Sequence, residues 1–321
     1  MNVTESSASN GAVNKKLRQR FRSRDLQLFT LTIPTTVWYI LFTYLPMFGI
    51  LLAFKNYLPI KDANFFTSLI KAEWTGFDNF KYLFLTPDAF IIFRNTIVYN
   101  VFFILIGLAL SVAMALMISE LHSKRLQKVT QTMIFMPYFL SWAVVNYFVY
   151  AFLSPTRGLL NNILGTPGYQ WYMEPKYWPF IIIVLNIWKG IGYSMVVYLA
   201  SITGIDQELY EAAMIDGASK WQQCRYITIP MLQNIVLILL IMNAGSILRS
   251  DIGLFYIVPR GSGPLADVTQ TIDVYVYNGL MGRNNLGFSA AAALLQSVFG
   301  MILILSTNAL VKRINDESAL F

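Results

Sequence analysis

Six long apolar runs divide this chain, at about Phe29–Phe54, Phe90–Ile118, Thr130–Leu153, Trp178–Ile202, Ile227–Leu248 and Phe288–Val311. Each reaches the roughly 20 helical residues that cross about 30 Å of hydrocarbon, where a backbone must satisfy its own hydrogen bonds. Charged residues make up 13% of the sequence, against about 25% in a soluble domain. The runs therefore predict an all-α integral membrane protein of six transmembrane helices, with a membrane domain over residues 29–311 and no separate soluble domain. Pro34 and Pro46 in the first run and Pro137 in the third remove helical N–H groups, so kinks are expected there.

Lysine and arginine set the orientation, because they are retained on the cytoplasmic side of short loops. With both termini inside, the inner segments carry thirteen basic residues and the outer ones nine, the latter spread over longer loops. Six of the thirteen, Lys15, Lys16, Arg18, Arg20, Arg22 and Arg24, crowd just ahead of the first run. That run is too long for a signal peptide and lacks a small-residue cleavage site, so residues 1–28 are expected to stay as a basic cytoplasmic tail with a surface-lying helix. Residues 312–321 are expected to form a cytoplasmic C-terminal tail. The net charge of +7 follows from this topology and implies membrane lipid, not nucleic acid, as the neighbour.

The single cysteine, Cys224, and the single histidine, His122, supply no disulfide and no zinc or haem ligand set. No Walker-type glycine loop occurs, so the chain does not hydrolyse ATP by that route. The acids Glu73, Asp78, Asp88, Glu174, Asp251, Asp267 and Asp273 scatter through the outer loops with no pairing readable from spacing. A membrane enzyme needs clustered acid, base or nucleophile groups, and a secondary transporter ionisable groups across several spans; neither pattern is clear here.

Trp171, Tyr172, Tyr177 and Trp178 suit a flat-lying or re-entrant interfacial segment, with anchoring of the bundle as the plainer role. Small residues recur four apart as Gly107, Ser111 and Ala115, and again as Ser289, Ala293 and Ser297. Such ridges let helices approach closely without saying which chain supplies the neighbour.

The most polar inner connection reads IDQELYEAAMIDGASKWQQCRYITIPML from Ile205 to Leu232. Asp206 fits a helix N-cap, and Glu208 and Glu211 suit the positive end of the helix that follows. Gly217 suits a left-handed stop, Ser219 a cap for a second short helix through Trp221 to Tyr226, and Pro230 the first turn of the fifth span. A helix, a glycine break and a second helix make either a compact knob shaped for another protein's groove or an amphipathic linker on the membrane.

Glu211, Ala212 and Ala213, then Ile215, Asp216, Gly217 and Ala218, then Trp221, and then Ile227, Ile229 and Pro230, resemble the EAA loop of binding-protein-dependent ABC importer permeases. The N-terminal stretch IPTTVWYILFTYLPMFGILLAFKNY, from Ile33 to Tyr57, is similar to the polysaccharide-type permeases of Gram-positive bacteria, within the carbohydrate-importer group. The resemblance implies the type I ABC importer permease fold, with residues 205–230 as a coupling loop on a partner ATPase. It makes Glu211 the docking acid, Ala212 and Ala213 the close-contact surface beside Asp216, and Gly217 the hinge. It also implies a second, homologous permease subunit, two ATPase subunits that bind the ATP and Mg, an extracellular solute-binding lipoprotein and an oligosaccharide substrate in a bacterial plasma membrane, with no cofactor in this chain. The sequence departs from the common pattern at Asp206, Cys224 and Ile229, none of which alters the acid, the alanines or the glycine.

Polar or aromatic residues set within apolar runs are candidates for a substrate pathway or for bonds between helices. They are Trp142, Asn146 and Tyr147 in the third run, Asn186, Trp188, Lys189 and Tyr193 in the fourth, and Asn243 in the fifth. Lys189 is a cation inside IVLNIWKGIGYSMVV, either snorkelling toward the outer interface or, with Arg249, favouring an acidic saccharide.

Overall fold

The computed structural model describes residues 26–60, 63–85, 87–283 and 286–314. The expected basic tail lies outside these apart from its last three residues, as does the C-terminal segment beyond Ile314. Five helices are long and apolar enough to cross a membrane, and a bent helix pair brings the number to six if counted as one span. The first helix, α1, runs over Leu26–Phe54. It stays α-helical through Pro34, then widens to a π turn at Ile40–Tyr44 and tightens to a 3-10 stretch at Leu45–Phe54. Pro46 lies inside the 3-10 stretch, where its nitrogen has no proton to donate to a helical hydrogen bond.

From Ala53 onward the chain forms one compact unit. It opens with a two-stranded antiparallel ribbon, β1 (Lys55–Asn56) and β2 (Glu73–Trp74), in which Lys55 faces Trp74. The ribbon encloses α2 (Phe65–Lys71) and is followed by α3 (Asp78–Leu85). Next come α4 (Ala89–Ser119), α5 (Lys124–Phe135), α6 (Trp142–Leu153), the short α7 (Leu159–Leu164) and α8 (Trp178–Thr203). The remainder comprises α9 (Gln207–Ile215), α10 (Lys220–Gln223), α11 (Ile229–Gly245), α12 (Ala266–Thr269), α13 (Ile272–Arg283) and α14 (Leu286–Ile314).

The buried clusters fix the directions of the long helices. Tyr99 of α4 packs with Trp178 and Ile182 at the start of α8, whereas Ala115 and Ile118 pack with Met195, Leu199 and Ile202 toward its end. The two helices therefore run parallel, and the chain between them must return from one end of the bundle to the other. Leu232 of α11 joins the second cluster, while Leu248, beyond its far end, joins Ile92 and Phe288. So α11 runs opposite to α8, and α14 runs back beside α11, with Gly300 against the Gly245 carbonyl where a Cβ would come within 2.5 Å.

The return between α4 and α8 departs from the single span expected over Thr130–Leu153. Helix starts six residues earlier, at Lys124, under a Ser123 cap. A 3-10 turn over Met136–Phe139 then ends it, and α6 begins anew under a Ser141 cap. The two halves meet at 97°. Pro137 fits the first turn of the 3-10 segment, and the serine hydroxyl supplies an acceptor for Val144 N–H, so the break satisfies part of its own backbone.

One further expectation changes. Trp171 and Trp178 are not interfacial anchors: both are buried in the core of the α7 end. The Trp178 indole donates to the Trp171 carbonyl at 2.8 Å, and the Trp171 indole to Asn161 Oδ1 at 2.6 Å. Of the two small-residue ridges, Ser111 and Ala115 pack inside the unit, and in the second Ser289 is buried while Ala293 and Ser297 are exposed in this chain.

Candidate functional site

At the end of the bundle where α4 and α8 finish, α9 stands out as a short helix closed at both termini. The Asp206 carboxylate accepts from Glu208 N–H at 3.1 Å, capping the start as expected. At the other end Gly217 takes φ +79°. Ala218 N–H then bonds to the Ala213 carbonyl at 2.8 Å, and Gly217 N–H to that of Met214 at 3.1 Å. This is the paired closure that a left-handed residue allows, and it stops the helix in one turn.

Ser219 starts the next helix through a reciprocal capping box with Gln222. The second short helix does not end before the fifth span, as the sequence suggested. It passes through a π turn at Cys224–Thr228 into α11, so that Lys220–Gly245 is one continuous apolar helix. Pro230 directly follows the π turn, at the second position of α11, where its nitrogen has no proton to give to the preceding turn.

The α9 segment is thus fixed to the base of a span. The Tyr210 hydroxyl meets that of Thr228 at 2.9 Å, the Gln223 amide donates to the Ala218 carbonyl, and Lys220 pairs with Glu120, just past the end of α4, at 3.3 Å. Behind it lies a groove of about 790 Å³ lined by Met117, Tyr210, Met214 and Trp221 among others. The two short helices leave exposed what water-facing helices normally avoid: Ile215 of α9 is 87% exposed and Trp221 of α10 68%, with Leu209 and Met214 also exposed. Glu211, Ala212, Asp216 and Gly217 share this outer surface, and Ala213 is half-buried.

A second constellation gathers halfway along α8. Lys189 donates to the Tyr138 carbonyl at 2.9 Å, inside the break between α5 and α6. Its ammonium lies 5.4 Å from the Tyr138 ring centre and 5.3 Å from that of Trp142. Tyr193, one turn further along α8, stacks on Tyr138 at 5.1 Å. The Trp142 indole in turn donates to the Asp251 carboxylate, which also accepts from Gly253 N–H at 2.8 Å.

Two interruptions therefore face each other: the break after α5 and the non-helical stretch after α11. Irregular backbone at such depth survives only where protein or a wet cavity satisfies it, and here Lys189 and Asp251 do so. Lys189 does not snorkel outward. Of the eight residues singled out in the sequence, Trp142, Lys189 and Tyr193 come together. Asn146, with its Oδ1 buried and unpartnered among the described residues, Asn186 and Trp188 lie on the same two helices without joining the cluster. Tyr147 is 73% exposed, and Asn243 is exposed on α11. Tyr138 and Asp251 were missed, although Pro137 and the polar step Arg249–Ser250–Asp251 signalled both breaks.

Parallel and antiparallel apolar helices, two interruptions facing each other inside the bundle and an exposed capped helix at one end define a multi-pass, helical integral membrane protein. Residues 106–316 match the family described as the binding-protein-dependent transport system inner membrane component, and the chain belongs to that family of ABC transporter permeases. It is 32% identical to Protein LplB of Bacillus subtilis over 297 residues, covering 92% of this chain and 91% of that protein. It is 29% identical to the polygalacturonan/rhamnogalacturonan transport system permease protein YteP of the same organism, covering 94% of each. Among solved structures, a chain of a bacterial ABC transporter involved in the import of the acidic polysaccharide alginate superposes with a TM-score of 0.79 at 31% identity, covering 92% of this chain and 98% of that one.

Proposed function

We propose that this chain is one half of the translocation pathway of an ATP-driven oligosaccharide importer. It crosses a bacterial plasma membrane six times, α5 and α6 together making the third crossing, with both termini and the α9 loop in the cytoplasm. It pairs with a second, homologous permease, rests on two ATPase subunits that hold the ATP and Mg, and receives its substrate from an extracellular solute-binding protein. The observation that carries this reading is the α9–α10 pair: α9, tied at its base and closed at both ends, presents Ile215 to solvent and α10 presents Trp221, which suits a surface covered by a partner. Glu211 is the docking acid, Ala212 and Ala213 with Asp216 the close-contact surface, and Gly217 the hinge.

Inside the bundle, the Tyr138–Tyr193 stack supplies flat apolar faces for pyranose rings, and Lys189, Arg249 and the neighbouring polar residues supply charge and hydrogen bonds for an acidic oligosaccharide. The acidic polysaccharide imported by the superposed transporter supports that choice of substrate class. The complete complex in proteoliposomes tests the reading. Glu211→Lys, or bulky replacements at Ala213 or Gly217, should leave the complex inserted while uncoupling ATP hydrolysis from uptake. Unimpaired uptake in these variants would sink it.

A further inference from the structure

Between α1 and α4 the chain builds a small platform whose scaffold is rigid and whose most prominent side chains it leaves uncovered. Thr75 N–H bonds to the Phe54 carbonyl at 2.9 Å, and the Asn79 amide donates to the carbonyls of Ala53 and Lys55 at 3.0 and 3.1 Å. Lys55 reaches across to the last carbonyls of α2, Leu69 at 2.9 Å and Ile70 at 3.2 Å. Gly76, at φ +59°, turns the chain between Trp74 and Phe77. Both rings are thereby set against Phe54, Trp74 stacked at 5.7 Å and Phe77 edge-on at 5.6 Å. Yet Trp74 is 64% exposed and Phe77 67%.

The depth of this platform is fixed by what α3 touches. Leu83 is buried with Ile92 of α4 and with Phe288 and Ala292 of α14, residues from the first two turns of both helices. Phe84 stacks on Phe93 of α4 at 5.6 Å. α3, which follows directly on Phe77, is thus seated beside the beginnings of two apolar spans. That level in a bilayer is the headgroup and carbonyl layer, where tryptophan places its ring among acyl carbons and its N–H toward lipid oxygens. Among the described residues the Trp74 indole N–H has no protein acceptor. Of the lysines beside it, Lys81 is paired with Asp78 at 2.6 Å and Lys55 is committed to the α2 carbonyls, while Lys71 is exposed at the end of α2.

We propose that Trp74 and Phe77, backed by Phe54, form a foot seated in the lipid headgroup layer, which fixes the depth at which α4 and α14 enter the membrane. Its partner is the lipid surface, held by ring burial and an indole hydrogen bond.

Cys224 is the chain's only cysteine, so single nitroxide labels are accessible in a Cys224→Ser background with cysteine-free partners. The full complex is reconstituted in phosphatidylethanolamine–phosphatidylglycerol vesicles with labels at Trp74→Cys, Phe77→Cys and, as a loop control, Arg157→Cys. Labels at 74 and 77 should collide several-fold more often with oxygen than with a water-soluble nickel chelate, and the label at 157 the reverse. Nickel accessibility at 74 and 77 equal to that at 157 would mean a water-facing patch. Exclusion of both reagents would mean a protein cover, and either result overturns the proposal. ATPase activity within twofold of the unlabelled complex shows that labelling leaves the assembly intact. Independently, brominated acyl chains should quench the tryptophan emission of the intact complex more than that of Trp74→Phe, whose ring keeps the stack; equal quenching would also overturn it.

Discussion

The Lys189 ammonium donates to the main-chain carbonyl of Tyr138 at 2.9 Å, across the gap between α8 and the α5–α6 break. A cation inside an apolar helix thereby satisfies a carbonyl that a continuous third span would have bonded internally. The same ammonium lies over the rings of Tyr138 and Trp142, so its charge is spread over three partners of this chain before any substrate arrives.

Lys189→Met keeps the length of the stem and removes the donor. The lost charge-assisted bond should cost about 1.5 kcal/mol of stability, read as a lower unfolding temperature of the purified permease. If Lys189 also reads a sugar carboxylate, uptake of a uronate oligosaccharide should fall further than uptake of a neutral one of equal length. An equal fall in both would assign Lys189 to the break alone.

Gly253 sets the approach of the other interruption. A Cβ there would lie 2.2 Å from the Trp142 ring, so Gly253→Ala should displace the indole and break its bond to Asp251. Overpacking of this kind costs about 1–3 kcal/mol. Trp142→Leu should lose the indole bond but recover part of the stability of Gly253→Ala, because the smaller side chain accommodates the new methyl. A double-mutant cycle on unfolding temperature measures the coupling; strict additivity would show that the two residues do not interact.

Gly217 offers a cleaner separation of backbone from packing. A methyl group added there would meet nothing within 4 Å, and the φ is +79°, so Gly217→Ala pays only for the left-handed backbone, about 1 kcal/mol. Gly217→Asn should lose less, since asparagine tolerates that region. Amide hydrogen exchange in Met214, Gly217 and Ala218 should rise in the alanine variant while exchange in α8 stays unchanged.

The spans were readable because membrane crossing demands a length of apolar sequence that little else mimics, and five of the six runs appear as single long helices. The α9 loop was readable for a different reason: Asp206, Gly217 and Ser219 each carry a local stereochemical signal that no tertiary contact needed to supply. In the third run the kink at Pro137 was legible but its size was not, because composition registers apolarity and not direction, and the 97° turn depends on Ser141 restarting the helix after Pro137. Asp251 was unreadable as a partner of Trp142 because 109 residues separate them. The burial of Trp171 and Trp178 was hidden likewise, since it depends on Asn161 and on the packing of α6 and α8 around them.

Ile215 provides the sharpest distinction between a side chain that holds this fold and one that serves a partner. At 87% exposure it contributes little to the unit's own packing, and it lies in the last turn of α9, beside the Gly217 closure. Ile215→Asp should therefore shift the unfolding temperature of the isolated permease by less than the equivalent of about 0.5 kcal/mol. An apolar anchor at the centre of a covered interface costs more than about 1 kcal/mol when removed, which is roughly a fivefold loss of affinity. Titration of the purified ATPase onto the permease pair should show that loss for Ile215→Asp and almost none for Gln222→Ala on the neighbouring helix. A normal titration for Ile215→Asp would place the contact elsewhere on the loop, and a lowered unfolding temperature in the isolated chain would make Ile215 a packing residue after all.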